Sequence, residues 1–195
     1  MKRENFILYS LLLFCAFLPL IKPLGLPLNV NIRVRRWHET IENLPENSIV
    51  LIALDYHAQN SDYISSFAAA TLHHLFTKDV KVVMVSLINY SLMNYEELIR
   101  RVKPEEYGKV YGLDYVFLGY LEDMLNAVKQ IAKDFKRTVR VDFKGTLISE
   151  IPMLRNINNA SNFNLLIVFA SYPIFDCWTY VWSKYGVPCI LCNMH

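Results

Sequence analysis

Glycine is scarce in this sequence, where it accounts for 6 of the 195 residues. The loop after the first predicted strand, residues 56–61, contains none. Dinucleotide-binding folds need a G-x-G-x-x-G loop at that point, and nucleoside triphosphatases need G-x-x-x-x-G-K-[ST]. Neither motif occurs in the chain. The sequence therefore argues against both nucleotide-binding classes, and it predicts no cofactor.

Cysteine is also sparse, and the charges nearly cancel. Four cysteines in this length are too few for a disulfide framework. Cys189 and Cys192 match C-x-x-C, but they lie in a predicted strand that places the two sulfurs on opposite faces, whereas the redox motif opens a helix. A zinc site would need a second ligand pair, so no metal site is predicted. A net charge of +2 is too small to indicate nucleic-acid binding.

Apolar residues, in contrast, are plentiful at 53% of the chain, and they begin with an uncharged run from Asn5 to Ile21. A helix of that length spans roughly 25 Å, the short end of a bilayer crossing. No A-x-A cleavage site follows the run, which argues against a cleaved signal peptide. Leu13 and Phe14 precede Cys15, which argues against a lipoprotein signal. We therefore expect residues 1–32 to form an uncleaved membrane anchor and linker, crossing the membrane once through residues 5–21.

The charges that flank this run suggest an orientation. Six basic residues but only one acidic residue, Glu4, lie within residues 1–36. Most of these basic residues follow the apolar run, including Arg33, Arg35 and Arg36. By the positive-inside rule, this distribution favours a cytoplasmic location for the rest of the chain.

Residues 33–195 alternate apolar runs with helical patterns, which predicts an α/β domain. The predicted strands are residues 48–55, 80–87, 114–120, 163–171 and 187–192, with a short strand at 139–141. The predicted helices are residues 61–78, 94–102, 124–136 and 173–185. Short links between strands and helices imply right-handed crossovers and a buried parallel sheet. The expected fold is a three-layer sandwich with a mostly parallel sheet of about five strands, Rossmann-like or flavodoxin-like.

The last predicted strand ends close to His195, so no helix follows to cover it. We expect one face near this strand to be incompletely covered. Either a partner protein or the membrane supplies the cover, or the chain is a C-terminally shortened version of a longer protein.

Ligands of open parallel sheets bind beyond the carboxyl ends of the strands. The candidate ligand-binding residues are Asp55, Tyr56, His57, Asp142 and Ser171. Asp55 is the strongest candidate because a carboxylate that closes a buried strand can hold a metal, a ribose hydroxyl or a reacting proton. The competing interpretation is that Asp55 caps the backbone of the following loop.

Histidines offer a second possible source of chemistry. Histidine is the residue type whose charge changes around neutral pH, so His57 suits a general base or metal ligand, or else it is a solvated loop residue. His73 and His74 are adjacent on a predicted helix and point about 100° apart, so the two cannot chelate one ion. Ser171 lies outside a G-x-S-x-G elbow, which leaves a hydrolase of that type unsupported.

Several segments together carry a family resemblance: LPLNVNI, SIVLIALDY, DYVFLGY, DFKGTLISEIPM and YGVPCI. With these segments the chain resembles an uncharacterised family of prokaryotic membrane-anchored α/β proteins. The resemblance implies an anchor and an α/β fold but no activity. Relatives carry Pro-Gly where this sequence has His57-Ala58-Gln59, and a glycine-rich loop where it has Ser171-Tyr172-Pro173.

Three functions remain open on these grounds. The first is a non-catalytic, membrane-tethered module that binds a partner protein or a small ligand. The second is an enzyme that uses Asp55 with Asp142 or Ser171, which requires these groups to converge within about 3–4 Å of a common point. The third is a truncated, inactive paralogue. The sequence assigns no catalytic residue.

Overall fold

A computed structural model of the chain describes residues 3–21, 30–57, 61–171 and 174–193. Its five strands form a single sheet in which every neighbouring pair is parallel. The strands are β1 (Ile49–Asp55), β2 (Lys81–Ser86), β3 (Tyr115–Tyr120), β4 (Leu165–Ala170) and β5 (Cys189–Asn193). The predicted five-stranded parallel sheet is therefore confirmed.

The order of the strands across the sheet is β3-β2-β1-β4-β5. This is the doubly wound order of Rossmann-like sheets, and it differs from the 2-1-3-4-5 order of flavodoxin-like sheets. The direction of winding reverses between β1 and β4, the two central strands. Their register pairs Val50 with Leu165 and Asp55 with Ala170, so their carboxyl ends lie side by side.

Helices cover both faces of the sheet. The chain begins with α1 (Arg3–Ile21), which belongs to a separate unit, and the helices that pack on the sheet are α2 (Ile32–Glu42), α3 (Ser61–Thr77), α4 (Ser91–Val102), α5 (Met124–Lys133), α6 (Phe135–Thr138) and α7 (Phe175–Trp182). Leu51 and Ala53 of β1 pack with α5 and α7 in one hydrophobic cluster. Val50 and Ile52 pack with α3, α4 and Ile41 of α2 in the other. This alternation along a fully buried strand produces the predicted three layers.

Three local predictions differ from the structure. The helix predicted to start at Asn94 begins at Ser91, because the amide of Asn94 already donates to the carbonyl of Tyr90. The single helix predicted over residues 124–136 is two helices, since Asp134 is extended and its side chain accepts from the Arg137 amide to start α6. The strand predicted at residues 139–141 is reduced to one isolated bridge between Val141 and Leu147.

Helix α2 was not expected from the sequence. It begins with several arginines, but its second half has a short apolar stripe, in which Ile41 is fully buried and Trp37 is half-buried. The indole Nε1 of Trp37 donates a 3.2 Å hydrogen bond to Oγ1 of Thr71 on α3. The second half of α2 is thus packed on α3.

The chain divides into two compact units, Met1–Arg36 and Trp37–His195. In the first unit, the described side chains of α1, from Asn5 to Leu18, are all exposed, and most of them are apolar. Within the described parts of the chain, no helix is both long enough and apolar enough to cross a membrane. A transmembrane helix over residues 5–21 stays a prediction.

Candidate functional site

The reversal point between β1 and β4 brings three of the predicted residues together. Asp55 ends β1, His57 lies two residues later, and Ser171 directly follows β4. The amide of Ser171 donates to the carbonyl of Asp55 at 3.2 Å, and the amide of His57 donates to Oγ of Ser171 at 3.2 Å. The backbones after the two strands are therefore tied at the edge where ligands of such sheets bind.

The Asp55 carboxylate lies at this edge but points into the protein, with none of its surface exposed. Its Oδ1 accepts hydrogen bonds from the Leu87 amide (2.7 Å) and the Ser86 hydroxyl (3.0 Å). Its Oδ2 accepts from the indole Nε1 of Trp178 at 2.7 Å. Burial raises the pKa of Asp55 to about 6, against the lowering effect of these three donors. Both oxygens are therefore occupied within the fold, and no ligand can reach them without displacing a donor.

Tyr56 belongs to the core. Its ring is fully buried in the cluster formed by α3 and α4, and its carbonyl accepts a 2.7 Å hydrogen bond from Nδ2 of the buried Asn94. Burial, followed by the nearby Glu97 carboxylate, raises the pKa of the Tyr56 phenol well above its ordinary value. The phenol is neutral at physiological pH, and it does not line the strand-end surface.

His57 and Ser171 are half-buried and remain the accessible members of the predicted set. The His57 ring stands edge-on to the ring of Tyr90, with centroids 5.5 Å apart. The sequence differences from the resembled family at residues 58–59 and 172–173 lie outside the described residues.

Asp142 is not part of this edge. It lies in the loop after α6, where Oδ1 accepts from the amides of Thr146 (2.7 Å) and Lys144 (3.0 Å), and Oδ2 accepts from the Tyr111 hydroxyl (2.7 Å). The amide of Phe143 in this loop donates to the carbonyl of Phe117 on β3, and β2 separates β3 from β1. Asp55 and Asp142 share no hydrogen-bond partner, and both accept backbone amides. The convergence that the enzyme hypothesis requires is absent from this pair.

The two C-x-x-C cysteines pack on opposite faces of β5, as the strand geometry predicts. Cys189 contacts the cluster beneath α5 and α7, and Cys192 contacts the cluster beneath α3 and α4. Burial raises the pKa of each thiol to about 11. Neither sulfur is placed for redox exchange with the other.

The outer surface of α5 and α7 carries two adjoining depressions, which we call the apolar groove and the lysine pocket. The apolar groove, about 690 Å³, is lined by Leu125, Asp176, Cys177, Thr179, Tyr180 and Ser183. The lysine pocket, about 260 Å³, is lined by Lys129, Lys133, Tyr180, Val181, Lys184 and Tyr185. Tyr180 lies between the two depressions and is 61% exposed. The sequence gave no sign of the groove, because 41 residues separate the end of α5 from the start of α7.

A second cluster missed by the sequence analysis joins α2 to α3. It consists of His38, Glu42 and His74, whose ligand atoms all lie within 4.8 Å of one another. The signal available in the sequence was the four-residue spacing of His38 and Glu42, which places both on one face of a helix. Because α2 was not predicted, the spacing of His38 and Glu42 could not be interpreted as two ligands on one helix face.

Comparison with known proteins identifies neither a family nor a function for the chain. No protein-family model and no curated protein matches it. Among solved structures, the C-terminal domain of a hydrogenase from Pyrococcus furiosus is similar at 15% identity and a TM-score of 0.33, over 76% of this chain and 95% of that domain. A likeness at this level carries no argument about function. The molecule is thus defined as an α/β protein with a parallel five-stranded sheet, and the family resemblance stays a prediction.

Proposed function

We propose that this chain is a non-catalytic interaction module that associates with a second copy of itself through the outer surface of α5 and α7. Two observations disfavour the enzyme alternative. The Asp55 carboxylate is enclosed by three donors, and the Asp142 carboxylate is held by its own loop. A general acid or base must reach substrate, and neither group is exposed.

The single observation that carries the proposal is the charge pattern along this surface. Both helices follow strands of a parallel sheet and pack in the same cluster, so their amino ends lie at the same end of the surface. That end carries the exposed acidic residues Glu122, Asp123 and Asp176. The carboxyl-terminal half of α5 and the turn after α7 carry the exposed basic residues Lys129, Lys133 and Lys184. Within the described chain, no ion pair joins any of these six side chains to another residue.

The pattern suits a twofold contact between identical surfaces. A twofold axis that lies in the plane of the contact and crosses the helices at right angles near Tyr180 places the acidic end of one copy against the basic residues of the other. In such an isologous contact each favourable pairing occurs twice. The centre offers Leu125 and Tyr180, 38% and 61% exposed, for apolar contact. Tyrosine is among the residues enriched at the cores of protein interfaces.

The lysines also supply a reason for association. Lys129 and Lys133 are one helical turn apart, and like charges at this spacing destabilise a helix. The Lys184 ammonium lies 4.0 Å from the centre of the Tyr180 ring, in the same pocket. Its hydrogen bond and positive charge lower the pKa of the Tyr180 phenol. Carboxylates from a second copy would relieve the repulsion among these three cations.

The area available implies a weak dimer. Two helices of this length present a surface of roughly 15 Å by 20 Å, whereas stable interfaces bury about 800 Å² on each partner. We therefore expect an equilibrium between monomer and dimer that shifts with concentration.

Sedimentation velocity over a concentration series tests the proposal on the full chain, kept in mild detergent because α1 exposes apolar side chains. The variant K129E/K133E and the variant D123K/D176K should each stay monomeric, since each places like charges at both ends of the contact. An equimolar mixture of the two should form a heterodimer, because the surface of one copy is then mainly acidic, apart from Lys184, and that of the other mainly basic, apart from Glu122. Arg140→Glu, an exposed charge reversal in the loop after α6, is the control and should behave as the unmodified chain.

A mixture that fails to associate, or single variants that dimerise as well as the unmodified chain, would overturn the proposed contact. The interaction hypothesis would then require a different protein as the partner. That protein would bind either at this surface or over the exposed side of β5. Leu191 of β5, 42% exposed, offers an apolar contact for such a partner.

We further propose that the chain is attached to a membrane through residues 5–21. The support is the uncharged run itself and the exposed apolar side chains of α1, such as Phe6, Leu12 and Phe14. Confinement to one membrane raises the effective concentration of a weakly associating module. Fractionation tests this: the full chain should resist extraction by carbonate and be released by detergent. Release by high salt alone would contradict it.

A further inference from the structure

The facing surfaces of α2 and α3 bring three metal-binding side chains to one point. Oε1 of Glu42 lies 2.6 Å from Nε2 of His74 and 4.0 Å from Nε2 of His38. The two imidazole rings are stacked, with centroids 4.7 Å apart and planes inclined by 27°. A single carboxylate oxygen therefore faces a nitrogen of each histidine.

The local structure holds these groups in position. His38 and Glu42 are one turn apart on α2, and Ile41 between them is fully buried. Lys78, just after α3, donates from Nζ to Oε2 of Glu42 at 3.1 Å and to the Glu42 carbonyl at 2.6 Å. This arrangement fixes one carboxylate oxygen and leaves the other directed at the histidines. Metal ligands are commonly oriented in this way by a second layer of hydrogen bonds.

We propose that His38, Glu42 and His74 form a binding site for a divalent transition-metal ion such as Zn²⁺. Two imidazole nitrogens and one carboxylate oxygen are a donor set that zinc takes in open sites, with water as the fourth ligand. Metal–ligand bonds of about 2.0–2.2 Å place neighbouring tetrahedral ligands roughly 3.3–3.5 Å apart. The two distances to Oε1 lie on either side of that value.

Small side-chain movements complete the geometry. His38 is 64% exposed and Glu42 47% exposed, so both can adjust without disturbing the core. His74 is 19% exposed and supplies the fixed partner. The hydrogen bonds from His74 and Lys78 lower the pKa of Glu42, so the carboxylate is ionised at neutral pH. The Lys78 ammonium disfavours a nearby cation, which implies moderate rather than very tight binding.

The alternative is a polar tie, in which His74 and Lys78 join Glu42 only to hold α2 on α3. The two roles give different results when His38 is removed. His38 makes no close hydrogen bond to Glu42, since its Nε2 is 4.0 Å away. A polar tie therefore does not depend on His38, whereas a metal site does.

Calorimetric titration of the chelator-treated full chain with Zn²⁺ tests the site, and Co²⁺ absorption in the visible range reports the ligand geometry. We expect one ion per chain at this site and visible bands typical of four-coordinate cobalt. His38→Ala and His74→Ala should each weaken binding at least tenfold. Glu42→Gln, which keeps the shape of the side chain but removes its charge, should also weaken it.

His73→Ala is the matched control, because His73 is adjacent in sequence but its Nδ1 contacts the hydroxyl of Tyr107 instead. It should bind zinc as the unmodified chain does, and circular dichroism should confirm that every variant is folded. Absence of stoichiometric zinc binding overturns the proposal. An unchanged zinc affinity in His38→Ala would also overturn it, because His38 would then not be a metal ligand.

Discussion

Trp178 on α7 donates a 2.7 Å hydrogen bond from its indole Nε1 to Oδ2 of Asp55 at the end of β1. Both residues are fully buried, and 123 positions of sequence separate them. The other carboxylate oxygen accepts from Ser86 and Leu87 at the end of β2. Asp55 thus joins two strands and a helix at the point where the direction of winding reverses.

Replacing Trp178 by Phe should lower the free energy of unfolding by about 1–3 kcal/mol beyond the loss of ring volume, because Oδ2 of Asp55 is left buried without a donor. Trp182→Phe is the matched control. Trp182 is equally buried and packs beside Trp178, but its indole nitrogen has no hydrogen-bond partner among the described residues. Urea unfolding at pH 7 measures both variants, and an equal loss in the two would show that the hydrogen bond contributes nothing.

The raised pKa of Asp55 makes stability depend on pH. The unfolded carboxyl ionises near 3.8 and the folded one near 6. Between these values the folded state binds more protons, so this group's contribution is fully present below about pH 4 and is lost as pH rises through 6. The difference of about two pKa units corresponds to roughly 3 kcal/mol.

Chemical denaturation between pH 3.5 and 7.5, compared with Asp55→Asn, isolates this contribution. Asp55→Asn removes the titrating group. As pH rises across this range, the free energy of unfolding of the unmodified chain should therefore fall by roughly 3 kcal/mol relative to that of the variant. Asp142→Asn serves as the control, because Asp142 is also a buried carboxylate that accepts backbone amides. A stability difference that does not vary with pH would mean that Asp55 titrates at its ordinary value.

The position of Asp55 could be predicted from the sequence, but its partners could not. The continuous apolar run before it is typical of a strand buried on both faces, and a parallel sheet places its end at the ligand edge. Trp178 lies on the apolar face of a later helix, where the sequence pattern predicts an ordinary core residue. Nothing local indicates that its indole nitrogen meets a carboxylate. Such pairings depend on strand order, and the sequence pattern did not distinguish the Rossmann-like order from the flavodoxin-like one.

Asp142 shows the opposite difficulty, because its two backbone partners are local but its location was misjudged. Lys144 and Thr146 donate their amides to Oδ1 two and four residues on. Asp side chains commonly bond to nearby backbone in this way within turns. The Lys-Gly-Thr sequence that follows Asp142 was a sufficient signal for a turn. It also explains why the predicted strand at 139–141 is only a single bridge.

Asp142→Ala should lower the free energy of unfolding by about 1–3 kcal/mol, because two amides and a tyrosine hydroxyl lose their acceptor. Tyr111→Phe removes only the hydroxyl contact and should cost less, about 0.5–1.5 kcal/mol. Thermal unfolding of the two variants establishes the order. If Tyr111→Phe is the more damaging substitution, the turn is not the main function of this carboxylate.

The two C-x-x-C thiols should be unreactive in the folded chain and should form no disulfide with each other. Their pKa of about 11 leaves about 0.1% as thiolate at pH 8, against roughly a quarter for an ordinary cysteine. Pulse alkylation with iodoacetamide at pH 8, read by mass spectrometry, should therefore label Cys189 and Cys192 at least 100-fold more slowly in buffer than in urea. Because β5 turns the two sulfurs to opposite faces, a mild oxidant should also leave them unlinked. Rapid labelling of the folded chain, or a Cys189–Cys192 disulfide, would restore the redox interpretation of this motif.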